Sequence, residues 1–283
     1  MSEQIHVVGA SGRSGAVLCR ALLNAGRIPV PVVRNAAKWG ALGLPGTPLV
    51  ADLRDPAALG AVLGSARRVV SCAHARHAGA ILAAASNAGR FVFLGSTRRF
   101  THWPDDHAKG VLAGEAAFLA AGRPGVMLHP TMIYGAQGED NVQRLAALLR
   151  RLPLVPLPGG GRALVQPIHQ DDVTRCILAS LDHGWTTAQT LVIAGPAPLP
   201  YAEFVRAVAR AAGLRPPRII PLPAALLMAA TALTVLPGLP RIRAAEIRRL
   251  LEDKNFDIAQ MRATLGVDPV TLEAGLTRLF RPG

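Results

Sequence analysis

Aromatic residues make up only 4% of this 283-residue chain and charged residues 17%. Ala, Leu and Val must therefore build most of its interior, and the composition is that of a globular protein rather than a disordered one. Cysteine is equally scarce. Cys19, Cys72 and Cys176 are far apart, odd in number and without Cys-x-x-Cys spacing, which argues against a disulfide framework or a zinc site and fits a reducing cytoplasm. No cluster of His, Asp or Glu has metal-ligand spacing either, so no metal is expected. The N-terminus enters an apolar run almost at once, with neither a basic nor a long apolar leader, and reads as lacking a secretory signal. The uncharged segment 222–236, LPAALLMAATALTVL, is too short to cross a bilayer as a helix. It reads as a buried core helix or a subunit-interface helix, the latter compatible with a homodimer. A greasy wall for an apolar substrate, or contact with a membrane surface, is the sharper alternative.

What the chain does have is length for one large α/β domain with a smaller appended lobe, and a formal net charge of +13. The basic residues are nearly all Arg and are scattered. They read as compositional bias plus small anionic ligands, with no nucleic-acid-binding motif and no nucleic-acid partner expected. Short apolar runs at Ile5–Val8, Ile28–Val33, Pro48–Ala51, Arg68–Ser71, Phe91–Leu94 and Val126–Leu128 alternate with helical stretches near 14–25, 56–63, 76–88, 106–121 and 141–151. That alternation predicts a Rossmann-type doubly wound parallel sheet over residues 1–195. Pro29 and Pro31 fit the second run poorly and predict a strand that begins late or pairs weakly at its start. A Pro/Gly loop follows at 151–162, with 152–167 expected to contribute to the substrate lobe. Residues 196–283 read as that lobe, mainly helical, with helices at 201–212, 223–236, 241–252, 257–264 and 270–279.

The strongest local signal is Gly9-Ala-Ser-Gly-Arg-Ser-Gly15, which closes the first strand and opens the first helix. Gly9 permits the tight turn, Gly12 lets backbone N–H groups approach a pyrophosphate, and Gly15 lets helix and sheet pack closely. Ser11 and Ser14 complete the loop, whose N–H groups face the phosphate with the favourable end of the helix dipole. At the end of the second strand an NAD-selecting protein would place Asp or Glu on the ribose hydroxyls. This chain places Arg34 there, with Arg13 inside the loop. Two guanidiniums predict a 2′-phosphate, hence NADP(H) over NAD(H).

These residues resemble the extended or atypical branch of the short-chain dehydrogenase/reductase superfamily, the NAD(P)-dependent epimerase/dehydratase and NmrA-like proteins. Further segments match in order. Asp52-Leu53 is similar to the branch's adenine-contacting pair, and Ala73-His74 to the fourth-strand end that passes over the cofactor. Gly95-Ser96-Thr97 resembles the fifth-strand end with its active-site hydroxyl. His129-Pro130-Thr131-Met132-Ile133-Tyr134-Gly135 resembles the Arg-Pro-Thr-x-x-Tyr-Gly turn beside the nicotinamide, which implies a cofactor contact for Thr131. Gln166–Val173 is similar to the segment that tethers the two lobes. The match runs to about residue 195 and is only textural beyond it.

The branch usually carries Tyr-x-x-x-Lys on the helix after the fifth strand. Anchored on Gly114-Glu115, this chain has His107 for the Tyr and Val111 for the Lys. Both the ordinary proton donor and the lysine that lowers its pKa are missing. Ser96, His107 and Tyr134 remain as candidate catalytic residues, with Thr97 as Ser96's understudy. The expected activity is NADP(H)-dependent oxidoreduction of a small or moderately apolar carbonyl, imine or alkene. A non-catalytic NADP(H)-binding sensor or accessory subunit, and a sugar-nucleotide epimerase or dehydratase, are the alternatives.

Overall fold

In the computed structural model, which describes residues 3–135, 141–230 and 244–280, the chain alternates strand and helix through its first half. In order these are β1 (Gln4–Val8), α1 (Arg13–Asn24), β2 (Ile28–Val33), α2 (Ala36–Gly40), β3 (Leu49–Val50), α3 (Pro56–Leu63), β4 (Arg68–Ser71), α4 (Ala78–Ala84), β5 (Arg90–Leu94), α5 (Asp106–Ala121) and β6 (Gly125–Pro130). Then come β7 (Ile133–Tyr134), α6 (Asn141–Leu149), β8 (Leu154–Pro158), β9 (Leu164–Val165), β10 (Ile168–His169), α7 (Gln170–Asp182) and β11 (Ala188–Ile193). The C-terminal part holds β12 (Leu199–Pro200), α8 (Tyr201–Ala211), β13 (Arg218–Leu222), α9 (Ala224–Ala230), α10 (Ala244–Arg249), α11 (Ala259–Leu265) and α12 (Leu272–Phe280).

Seven parallel strands form one sheet in the order β11-β6-β5-β4-β1-β2-β3. The strand order reverses between β1 and β4, so a crevice opens at their C-terminal ends, the place where doubly wound sheets bind ligands. The fold is the expected Rossmann architecture. Both sheet faces are covered, because βαβ crossovers lay helices on each side. Ile5, Val7, Leu18, Leu22, Val173 and Ile177 form one core; Val8, Leu59, Leu63, Phe91, Phe93 and Phe118 form the other. The rings of Phe91 and Phe93 stack at 5.8 Å, and that of Phe118 on α5 tilts against Phe93 at 5.1 Å. Each such side chain contributes about 1.5–3 kcal/mol on burial and anchors α5 over β5.

Contrary to the sequence expectation, β2 pairs with β1 from its first residue, Ile28. The N–H groups of Ile28, Val30 and Val32 face β1, whereas Pro29 and Pro31 face the other way. There β3 reaches only Val32 and Val33. The two missing donors fall on an open stretch of edge, so they cost no ladder bonds.

A third core, built from Tyr134, Val142, Leu149, Val155, Phe204, Val205, Val208 and Leu276, defines the smaller lobe. Beyond residue 196 the described elements are mainly helical, as expected. The Pro/Gly segment contains a strand, β8, paired in parallel with β13, which the helical reading of the C-terminal part had passed over. The predicted helix at 76–88 is also shorter: His74 accepts the Arg76 N–H, tightening Ala75–His77 into a 3₁₀ turn before α4. Of the segment 222–236, Leu222 ends β13, residues 224–230 form α9 and 231–236 lie outside the described residues; of the predicted helix 241–252, residues 244–249 form α10 and 241–243 lie outside them. No described helix is long and apolar enough to cross a membrane. Asp171 pairs with Arg278 of α12, and the buried Asp172 accepts the Val270 N–H, tying α7 to the C-terminal segment.

Candidate active site

The glycine loop lies at the mouth of the crevice. Gly9 adopts φ +78°, open to glycine at little cost, and accepts the Gly12 N–H through its carbonyl. A Cβ on Gly15 would overlap the Gly9 carbonyl oxygen, and one on Gly9 would press within 3.1 Å of the Ala73 nitrogen. The loop therefore folds back on itself and against the end of β4. Helices α2, α3, α5 and α7 each begin with a side-chain cap, from Asn35, Asp55, Asp105 and His169. In contrast α1 begins at Gly12 with no side-chain cap and no acidic residue in its first turn. With no side chain capping the Ser14 and Gly15 N–H groups of its first turn, an outside acceptor can reach them.

Around this loop the predicted residues fall in several places. Ser11 is half-buried and Arg13 exposed. The Ser14 hydroxyl donates to the buried Gln170 at 2.8 Å, joining α1 to α7. Arg34 is exposed just past β2. Asp52 is gripped side-on by Arg54, which offers Nε at 3.1 Å, Nη2 at 2.8 Å and its backbone N–H at 2.9 Å. Those hydrogen bonds, with smaller help from the charge of Arg34, hold the Asp52 carboxyl well below the usual range. Arg54 is a third guanidinium at this end of the crevice that the sequence reading did not single out. Leu53 packs on the second core. Across the crevice, Thr131 is buried, and its Oγ1 has no hydrogen-bond partner among the described residues. An unsatisfied buried hydroxyl of this kind is costly unless a ligand meets it. The uncapped helix, the tight glycine loop and this hydroxyl together fit a dinucleotide lying along the crevice.

At the other end, β5 delivers Ser96 to the crevice. The Ser96 hydroxyl oxygen accepts the Arg98 N–H at 3.2 Å, leaving its own proton available. The Ser96 N–H donates to His129 Nδ1 at 3.2 Å, while Thr97 Oγ1 donates to the Pro130 carbonyl. Beneath, Glu115 is buried between Arg99, 2.8 Å from Oε1, and His129, whose Nε2 is 2.9 Å from Oε2. Burial raises the Glu115 pKa and lowers that of His129 to about 4.

His107 stands in the first turn of α5, and its Nδ1 lies 3.0 Å from Nε2 of His74. The rings meet edge to face at 4.3 Å. Glycines on α5 permit this approach. A Cβ on Gly114 would overlap the Ala75 carbonyl oxygen, and one on Gly110 would lie 2.9 Å from His74 Cε1. Val111, in the lysine's place, is 1% exposed and belongs to the second core. Tyr134 sits apart from this group. It is 1% exposed in the core of the smaller lobe, its ring edge-on to His169 at 5.2 Å. Burial, then the Asp172 charge, pushes its hydroxyl to a higher pKa. Among the described residues no group of three or more His, Cys, Asp or Glu is placed to hold a metal ion.

No family model and no curated protein sequence matches the chain. Solved structures do match in fold. An NADPH-dependent quinone oxidoreductase from Escherichia coli, complexed with NADPH, superposes with TM-score 0.77 at 18% identity, over 98% of this chain and 100% of that one. A UDP-glucuronic acid 4-epimerase from Bacillus cereus, in complex with UDP-glucuronic acid and NAD, gives 0.75 at 16%, covering 98% of both chains. A short-chain dehydrogenase/reductase superfamily protein from Agrobacterium tumefaciens with bound NAD gives 0.70 at 17%, over 98% and 96%. The chain thus shares, along almost its whole length, the fold of these nicotinamide-dependent proteins.

Proposed function

We propose that the protein is an NADP(H)-dependent oxidoreductase, an atypical member of the extended short-chain dehydrogenase/reductase superfamily, acting on a small or moderately apolar carbonyl, imine or alkene. One observation carries this reading: the imidazole of His107, in the first turn of α5, is bonded to the end of β4 in the same crevice as the glycine loop. A ring with an N–H to donate would thus take the place of the missing tyrosine.

When bound, the cofactor supplies hydride. The residues do the rest. The N–H groups of Ser14 and Gly15 at the start of α1 would hold the pyrophosphate, Arg34 and Arg13 the 2′-phosphate, and Asp52 and Leu53 the adenosine end. Ala73, His74 and Thr131 would flank the nicotinamide. Ser96 would donate a hydrogen bond to the substrate oxygen, and His107 would supply the proton. The fold neighbours that carry NADPH or NAD support a dinucleotide, and Arg34 supports the phosphorylated one.

The buried Val111 favours a second reading, a non-catalytic NADP(H)-binding sensor or accessory subunit, because no lysine is there to hold a ribose. Titration with NADPH and NADH, followed by a screen of quinones, aldehydes, ketones, imines and activated alkenes for NADPH oxidation, separates the two. Turnover of any acceptor supports the enzyme. Tight NADPH binding without turnover supports the sensor.

A further inference from the structure

We propose that His74 is a positioning residue that holds His107 as a neutral imidazole with its proton on Nε2, so that His107 acts as a fixed hydrogen-bond donor rather than as an imidazolium acid. This rests on the oxidoreductase reading above, with His107 at the substrate.

The bonds run in one direction. The Arg76 backbone N–H points at His74 Nδ1 at 3.1 Å, and Arg76 Nε–H reaches the same atom at 3.3 Å. Two donors on Nδ1 leave it without a proton, so the neutral His74 ring carries its proton on Nε2. Arg76 Nη2, a donor that a protonated Nε2 cannot accept, stands farther off at 3.4 Å. His74 Nε2–H then donates to His107 Nδ1 at 3.0 Å, and the neutral His107 ring carries its proton on Nε2. The backbone of the Ala75–His77 turn thereby sets the tautomer of a residue 33 positions away. Gly110 and Gly114 keep α5 close enough for the contact.

Adding a proton to His107 would set two N–H groups against each other across that 3.0 Å contact. The surroundings also oppose it. His107 faces Arg98, Arg76 and Arg249 against the single carboxylate of Asp105, and His74 faces Arg76, Arg98, His77 and His107. Burial and these charges lower both pKa values, that of His74 to about 4. Asp105 is itself shared, since Arg98 and Arg249 both stand 3.2 Å from its Oδ2.

A neutral imidazole can polarise a carbonyl oxygen through its N–H, as one is known to do in another enzyme. In the reductive direction the substrate carbon gains hydride, and its oxygen gains the proton from His107 Nε2. The N–H bond breaks as the O–H bond forms. The resulting imidazolate keeps the His74 bond at Nδ1 and lies among the Arg98 and Arg76 charges until a solvent proton restores it. Proton transfer then draws on no imidazolium population.

Two readouts test the proposal. Long-range ¹⁵N–¹H correlation spectra of the resting full-length protein, assigned with His107→Gln, report the tautomer without any turnover. The expected pattern is Nε2-protonated, Nδ1-bare His107, unchanged between about pH 6 and about pH 8. His74→Phe should convert it to mixed tautomers titrating nearer the ordinary value of 6.5. His74→Gln, whose amide can still donate, should restore part of the wild-type pattern. In the active enzyme kcat/KM should be flat across the same range. His74→Phe should add a limb rising toward acid, with an unchanged far-UV circular dichroism spectrum as the check on folding. An Nδ1-protonated or cationic His107 in the wild type would overturn the proposal even in an active reductase, as would a His74→Phe spectrum unchanged from wild type. The expected tautomer in a protein that turns over no acceptor would leave the protonation state established and remove the oxidoreductase reading instead.

Discussion

The Glu115 carboxylate and the His129 imidazole lie 2.9 Å apart beneath the end of β5, their side chains only 7% and 1% exposed. Neither facing atom, Oε2 nor Nε2, completes a well-aligned hydrogen bond among the described residues, so the pair is close but imperfect. The ring meanwhile supports Ser96 through Nδ1, and the carboxylate holds Arg99. Removing Glu115 would leave the Arg99 guanidinium, whose Nε already lacks a partner, without its counter-charge. Glu115→Ala should cost about 3 kcal/mol of stability in a urea titration, within the range for breaking a buried pair. A loss below about 1 kcal/mol, the surface-pair range, would show that the interior does not depend on it.

His129 also sets an acid limit. Burial, followed by the Arg99 charge, depresses its folded pKa to about 4 from 6.5. Between those values the unfolded chain binds the proton and the folded one does not, so stability falls as pH drops through that window. The contribution approaches about 3 kcal/mol once the folded pKa is reached. His6, His74, His77 and His107 are all depressed too, burial being the largest cause for each, and act with the same sign. Glu115, raised by burial, acts oppositely, favouring the fold below its unfolded value of 4.5 and losing that advantage as pH rises through its folded pKa. Tm should therefore decline from about pH 6.5 downward, and His129→Asn should flatten the decline. A Tm independent of pH down to about 4.5 would contradict the burial of neutral histidines.

At the other end of the crevice, Arg34→Ala should weaken NADPH binding by about 1.5–3 kcal/mol through loss of a charge-assisted bond to the 2′-phosphate. NADH binding should hardly change. Calorimetric titration of both cofactors against both proteins measures this, and equal losses would remove the phosphate argument.

Much of this was legible in the sequence, for local reasons. Strand–helix alternation and a glycine turn are decided within a few residues of themselves, and both lie where the pattern placed them. Pro29 and Pro31 misled because their effect depends on which strand edge they face, and the shortness of β3 is not a local property. The β8 strand was hidden among Pro and Gly, since its pairing with β13 comes from residues some sixty positions on. Within the site, each predicted residue could be named, but not its partner. That His74 bonds His107, or that Arg98 and Arg249 share Asp105, follows from how α5 and α10 pack against distant turns. Tyr134 shows the converse: a motif match gave its neighbourhood, but not its burial among the side chains of the smaller lobe.

The most direct test of the account is single-turnover oxidation of NADPH by wild type and His107→Ala, using any acceptor that the wild type reduces. A positioned proton donor is worth about 10²–10⁴-fold in rate. The variant should be slower by that factor while binding NADPH as tightly as before. Equal rates in the two proteins would mean that His107 supplies no proton and that the chemistry lies elsewhere in the crevice.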